Sequence, residues 1–600
     1  MNQILPKREE VRKEDQWRLE DIFPTDDAFK TCLEHTTMSI SNFKPYENQL
    51  TQSSTCLLEF MKMQDQFWID ANKLYVYAHM RLHENGNNSF YQDLAQKSEV
   101  LHVKASSALA FSQPELSSLT LDQLNLFYEK TPELKHYKRY FDELLRQKAH
   151  ILDPATEALL AEVSDVAGTA QNTFSMLNNV DLKFPLITNE QGEKVQLTHA
   201  TYIPFMESSH REVRHLAFDA LYNTYSGFKN TLASLFAGNI KQYGLFSKVR
   251  HFNSPLEMAL SENNIPTTVY SNLVDTVNAH LHILHDYMQL RKETLGLETL
   301  HMYDLFVPMV KDFEKKISFD EAKQTVLKAL APLGEDYIHI VKSAFTEGWI
   351  DKYENEGKRS GAYSWGTYGA PHPYILLNHT PNINSMFTLA HEMGHAMHTY
   401  YSHKTQASIY GDYCIFVAEV ASTVNEALLM QYLLGETSDP IEKQYLINYF
   451  MDQFKSTLYR QTMFAEFEHN MHLAHQNGET LTSDYLSREY LALVKKYHGP
   501  AVEVDEIIAM EWSRIPHFYT PFYVYQYATG YSAAIALSER LLSGDPSAVE
   551  DYIRFLSGGS SADPIELLKI AGVDMSSQEP IEKALNLFNS LIIQFKENQI

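Results

Sequence analysis

The chain has 600 residues, a net charge of −26 and three cysteines, Cys32, Cys56 and Cys414. That length calls for a large core and at least two subdomains, the negative balance argues against a nucleic-acid partner, and the cysteine count argues against a disulfide framework and fits a reducing cytosol. No apolar run approaches the length of a membrane span, and the stretch from Met1 to Arg8 lacks the apolar segment of a secretory leader, so a cytoplasmic protein without membrane contact is expected.

Taken in chain order, most of the sequence reads helical. Apolar residues three and four apart predict helices over 54–83, 87–112, 156–180, 209–247, 266–295, 319–347 and 441–475. Ser112-Gln113-Pro114 and Ser117-Ser118 interrupt the pattern and mark a weak boundary near 110–120. From Leu182 to Leu197, alternating apolar residues flank Asn189-Glu190-Gln191-Gly192, which predicts a hairpin, with a second weak boundary near 185–205. Gly361-Ala362-Tyr363-Ser364-Trp365 and Tyr374-Ile375-Leu376-Leu377-Asn378 predict two more strands, separated by a loop containing glycine and proline. An edge of that small sheet could take an extended peptide by strand addition, with Gly361, Ala362 and Tyr363 as the binding residues; a purely structural sheet is the alternative.

Next comes His391-Glu392-Met393-Gly394-His395, inside a segment with apolar residues at Met386, Leu389, Ala390, Met393 and Met397. Pro381 cannot sit inside that helix, and Asn382 or Asn384 could cap it. Residues four apart share a helix face, so His391 and His395 can offer both imidazoles to one metal ion, with Glu392 placed to handle a water on it. Gly394 is weak in a helix interior, which suggests close approach of another backbone or of substrate. A catalytic zinc needs a third protein ligand and an open position. The pattern that supplies a histidine downstream fails here, because His398 and Tyr401 stand where it wants glycine and histidine. The other solution is a glutamate on a following helix. Glu419 is the candidate, on a segment where Glu419, Ser422, Thr423 and Glu426 form one polar seam. Two ordinary surface carboxylates are the alternative. Glu426 suits a supporting role, accepting the other N–H of a ligating imidazole. His398 shares the face of His391 and His395; it either lines the site or is a satisfied core histidine. Cys414 reads as a small buried hydrophobe.

Residues 514–531 hold five tyrosines and one histidine. Hydrolysis through a tetrahedral intermediate needs fixed donors for its oxyanion, and His517, Tyr523 and Tyr527 could supply them. An aromatic core stripe is the bland reading.

Together these stretches resemble oligoendopeptidase F, a bacterial branch of the thimet oligopeptidase family. The likeness rests on Gly357 to Tyr363, Pro373 to Asn378, the motif at 391–395 with His398, Val417 to Glu426 and His517 to Gly530. Trp17 to Phe23, Gly558-Gly559-Ser560 and Ala571 to Asp574 extend it through nearly the whole chain. The resemblance implies a mostly α, two-lobed metallopeptidase with a deep central channel, a small β-sheet beside the zinc helix, and internal cleavage of short unstructured peptides. It implies one Zn²⁺ per chain on His391, His395 and Glu419, Glu392 as the catalytic carboxylate, and His517 with a following tyrosine, Tyr523 ahead of Tyr527, assisting the transition state. It divides the chain into an N-terminal helical region over 1–115, an oligoendopeptidase F-type N-terminal domain over 116–200 and a zinc metallopeptidase domain over 201–600. The rivals are a C-terminal exopeptidase and a non-catalytic, zinc-stabilised peptide-binding protein. The sequence carries no signal for the oligomeric state.

Overall fold

The computed structural model describes residues 5–310 and 315–598; the first four residues, part of the segment read for a leader, lie outside them. Helices dominate, as the periodicity requires. The predicted helix over 54–83 is Ser54–Glu84, started by the Ser53 hydroxyl accepting from the Cys56 N–H. It buries Leu57, Met61, Leu74, Tyr77 and Ala78 on one face.

The longer predicted helices are broken. The stretch 209–247 is Arg211–Ser226 and Lys229–Val249, parted at Gly227 and Phe228. The stretch 266–295 breaks at His280, whose φ of −111° is not helical. The stretch 319–347 breaks at Ala331–Gly334, where Pro332 removes a backbone donor. The stretch 441–475 holds a π-helical turn, Phe454–Tyr459, between Pro440–Gln453 and Arg460–Gln476. Apolar spacing continues across such a turn, so periodicity does not reveal it.

The predicted hairpin is present: Leu186–Thr188 pairs antiparallel with Lys194–Gln196. So is the second strand pair, Tyr363–Trp365 antiparallel to Tyr374–Leu376. A third strand, Ile350–Asp351, joins it parallel to Tyr374–Leu376 and was not expected, because two residues are too short to show a period. The order places Tyr363–Trp365 at an edge of this three-stranded sheet.

The fold comprises two compact units, each assembled from three separate stretches. The first takes Met1–Ala149, Glu314–Tyr432 and Leu537–Gly572. Within it the N-terminal segment laces along the strand Ile350–Asp351. Arg18 N–H donates to Gly348 O (2.7 Å), Lys352 N–H to Asp15 O (3.0 Å) and Glu356 N–H to Pro6 O (2.9 Å). The Arg8 guanidinium reaches Asp351 and Glu84 at 3.0 Å, and Lys358, its side chain wholly buried, pairs with Asp351 at 2.7 Å. Burying these four charges wholly or largely is tolerable only because they pair.

The second unit takes His150–Phe313, Leu433–Ala536 and Val573–Ile600. Its interior also holds paired charge. Glu511 is buried and accepts from Arg460 and the Tyr490 hydroxyl, each at 2.6 Å. Among the described residues, no helix is long and apolar enough to cross a membrane.

Candidate metal centre

Two helices of the first unit carry the motif. Ile383–Thr405 starts where predicted, with the Asn382 side chain accepting from the Ser385 N–H at 2.8 Å just after Pro381. It buries Met386, Leu389, Ala390, Met393 and Met397. The second helix, Ile415–Glu436, crosses it at Gly394. A Cβ there would stand 2.5 Å from the Ser422 Cα and 2.6 Å from the Ala421 carbonyl oxygen, so only glycine lets the two backbones touch. The crossing is pinned by Asn425, which donates to the Ala390 carbonyl (3.0 Å) and accepts from the Tyr337 hydroxyl (3.3 Å).

This crossing sets Glu419 and Glu426 opposite the histidines. His391 Nε2 and His395 Nε2 lie 3.1 Å apart, and Glu419 Oε2 is 3.3 and 3.4 Å from them. The three groups offer one ligand atom each, all within 4.8 Å of one another. Ser422 Oγ donates to Glu419 Oε2 at 3.0 Å and holds that carboxylate in place. His391 Nδ1 bonds Glu426 Oε1. An N–H spent on Glu426 leaves the Nε2 lone pair for the centre, the usual way a ligating imidazole is oriented.

The charges report the same demand. Burial lowers the His391 pKa, but the Glu419 and Glu426 carboxylates outweigh it and push it up to about 10. Burial would raise Glu419, yet the two imidazoles hold it well below the usual carboxylate range. The pocket wants positive charge, which a proton or a metal cation can provide. Two imidazoles and one carboxylate fit zinc and leave a coordination position open. Glu392 is buried beside them, and its Oε2 has no hydrogen-bond partner among the described residues. Burial raises its pKa more than the neighbouring histidines lower it.

The other predicted residues fall as follows. His398 is buried, stacked on Tyr413 at 3.6 Å between ring centroids, and lies outside the three-donor group. Burial, then His395, takes its pKa down to about 3, so the ring is neutral. Gly361 is exposed, Ala362 is half-buried just ahead of the edge strand, and Tyr363 is half-buried at its first position. The Tyr363 hydroxyl already bonds His83 Nδ1 at 2.7 Å, which leaves the strand's backbone rather than that side chain available.

His517, Tyr523 and Tyr527 belong to the second unit and form one cluster there. His517 sits in the 3₁₀ turn Pro516–Tyr519. The Tyr523 ring lies parallel to it at 5.8 Å, and the Tyr527 hydroxyl is 3.4 Å from His517 Nε2. All three are partly exposed, and burial lowers the His517 pKa. The same unit buries a carboxylate that apolar spacing does not single out, Glu468, 1 % exposed on the helix Arg460–Gln476. Its signal was a lone acid on the apolar stripe of Phe464, Phe467 and Met471.

Such a donor set on crossing helices, beside a buried carboxylate, defines a metallopeptidase. Comparison with known proteins agrees. A family model described as peptidase family M3 matches residues 204–587, and one described as oligopeptidase F matches 115–184. The chain is 49 % identical to oligopeptidase PepF of Bacillus subtilis over 593 residues, 99 % of this chain and 88 % of that one. It is 40 % identical to group B oligopeptidase PepB of Streptococcus agalactiae over 98 % of each. The crystal structure of oligoendopeptidase-F from Enterococcus faecium superposes with a TM-score of 0.74 at 38 % identity, over 96 % of this chain and 99 % of that one. The chain belongs to peptidase family M3.

Proposed function

We infer that this chain is a zinc oligoendopeptidase that cuts internal bonds of short, unstructured peptides. The observation that carries the reading is the convergence of His391, His395 and Glu419, with Glu426 on the far nitrogen of His391. When bound, zinc lowers the pKa of a coordinated water toward ~7 and polarises the scissile carbonyl. Glu392 accepts the proton of the attacking water and returns it to the leaving amine. His517 and Tyr523, or Tyr527 in its place, donate to the oxyanion; the family resemblance and the partial exposure of all three support this. The open edge of Tyr363–Trp365 takes the substrate backbone as an added strand. Matches at 115–184 and 204–587 support a division of the chain near 115 and 200, and so small a number of cysteines, three in 600 residues, supports a reducing, cytoplasmic setting.

The test is incubation with blocked, unstructured peptides and one folded protein, with and without chelator, read by mass spectrometry. Internal cuts lost with chelator and restored by zinc, with the folded protein intact, are expected. Stepwise loss from one end would replace the reading with an exopeptidase. No cleavage by zinc-loaded protein would replace it with a peptide-binding protein.

A further inference from the structure

The open edge Tyr363–Trp365 ends at a cavity of 360 Å³ within the first unit. Trp365 and Tyr368 line it from the strand's end. Asp65, Trp68 and Tyr75, three and seven positions apart on one face of the helix Ser54–Glu84, line it as well. The loop that joins the two metal-centre helices adds Asp412. Gly366, just past the strand, packs on the histidine helix: a Cβ there would stand 2.6 Å from Thr399 Cγ2 and 3.6 Å from His403 Cε1. The strand's end therefore lies beside that helix about one to two turns past His395. The cavity has the size and the aromatic lining of a ligand pocket.

Its charge has one sign. Two carboxylates face it, and among the described residues that line it there is no lysine, arginine or histidine. Asp65 accepts from the Tyr137 hydroxyl at 2.8 Å. Burial raises the Asp65 pKa more than that hydroxyl and the His136 ring lower it, so the carboxylate lacks a full counter-charge. The Asp412 side chain is 95 % exposed, with His403 3.5 Å away. The rings are held in place. Trp365 stacks on His83 at 6.3 Å and meets Tyr75 edge to face at 6.1 Å, and Tyr75 stacks on His79 at 3.9 Å. Aromatic faces attract a cation, and two acids without a lysine or arginine add Coulomb attraction to it.

We propose that this cavity is a subsite for a cationic group of the peptide, an ammonium or guanidinium held by Asp65 and Asp412 against the aromatic rings. The proposal rests on the reading that the strand edge takes the substrate backbone. Antiparallel pairing, the more stable kind, carries the amino-terminal part of such a peptide toward Trp365. The cation is therefore a lysine or arginine on the amino-terminal side of the cut, or the free amino terminus itself. The subsite adds a preference among peptides to the chemistry at the metal centre and leaves that chemistry as it is.

The experiment uses acetylated peptides in which one lysine, or glutamine in its place, is walked along an otherwise neutral sequence. The same neutral peptide with its amino terminus free or acetylated tests the second source of charge. Binding is read by calorimetry on zinc-loaded Glu392→Gln protein, and cleavage by mass spectrometry on zinc-loaded wild type. One position on the amino-terminal side of the cut should bind lysine on the order of tenfold tighter than glutamine. If the terminal ammonium is what the cavity takes, the free terminus should instead bind tighter than the acetylated one by a similar factor. Asp65→Asn, which keeps an acceptor for Tyr137, should bring that ratio toward one. Asp412→Asn, at an exposed position, should reduce it too and serves if Asp65→Asn does not fold. Equal binding of lysine and glutamine at every position, together with equal binding of both termini, overturns the proposal. So does a preference that survives both substitutions or falls on the carboxyl-terminal side of the cut. A preference in binding with no cleavage by wild type sinks the peptidase reading and leaves the subsite standing; internal cleavage without any preference does the reverse.

Discussion

The candidate metal centre and the His517 cluster place their side chains by opposite means. At the metal centre the backbone is regular. Two helices touch at Gly394, and charge does the aligning: Glu426 orients His391, Ser422 steadies Glu419, and the acids and imidazoles shift one another strongly. Around His517 the backbone itself is irregular, a 3₁₀ turn followed by the left-handed Phe522, and uncharged rings do the holding. The first arrangement should tolerate change in the surrounding loops but not in charge. The second should tolerate loss of charge but not a change of backbone conformation.

The comparison breaks most readily at Glu392. Glu392→Gln should keep stoichiometric zinc and lose kcat on the order of 10²–10⁴-fold; near-normal turnover would remove it from the chemistry. Next, His517→Ala should lose kcat on the order of 10²–10³-fold with zinc content unchanged. Loss of zinc in that variant would mean the two regions are not separable. Glu426→Gln should weaken zinc affinity by ~10–100-fold, read by competition with a chromogenic chelator, with kcat of the fully loaded protein much less affected.

The smallest effect concerns acid stability and sharpens the contrast between paired and unpaired buried acids. Burial would raise the Glu511 pKa, but Arg460 and Arg514 outweigh it and hold it at about 2, against an ordinary value of 4.5. A depressed carboxylate contributes its stability in full above its unfolded pKa and loses it as pH falls through the folded one. The stability gap between wild type and Glu511→Gln, from urea unfolding, should therefore be widest near neutrality and close as pH falls from about 4.5 toward 2. A gap independent of pH would show that Glu511 contributes by shape alone.

What the sequence made legible follows the same division. Spacing alone paired His391 with His395, Pro381 with Asn382 or Asn384 located the helix start, and Gly394 signalled a close approach, by another backbone or by substrate, that the crossing helix makes. The seam of Glu419, Ser422 and Glu426 was visible as polar positions on an apolar helix. Irregular backbone left no such trace. The strand Ile350–Asp351 is too short for a period, and the π-turn at Phe454–Tyr459 keeps the spacing of its neighbours. Phe522 is not a residue type that announces positive φ. Glu468 was passed over because one acid on an otherwise apolar stripe resembles a solvated position until its burial is known.

The first unit closes only with its third stretch, Leu537–Gly572. There the helix Ala548–Leu556 brings Phe555 to 5.3 Å from the His398 ring, and the Ser557 carbonyl accepts from Thr405 and Gln406 at the end of the histidine helix. Chain elongation therefore lays down His391, His395 and Glu419 before the segment that braces the histidine helix, so the three side chains gain that support only once residues 548–557 have been added.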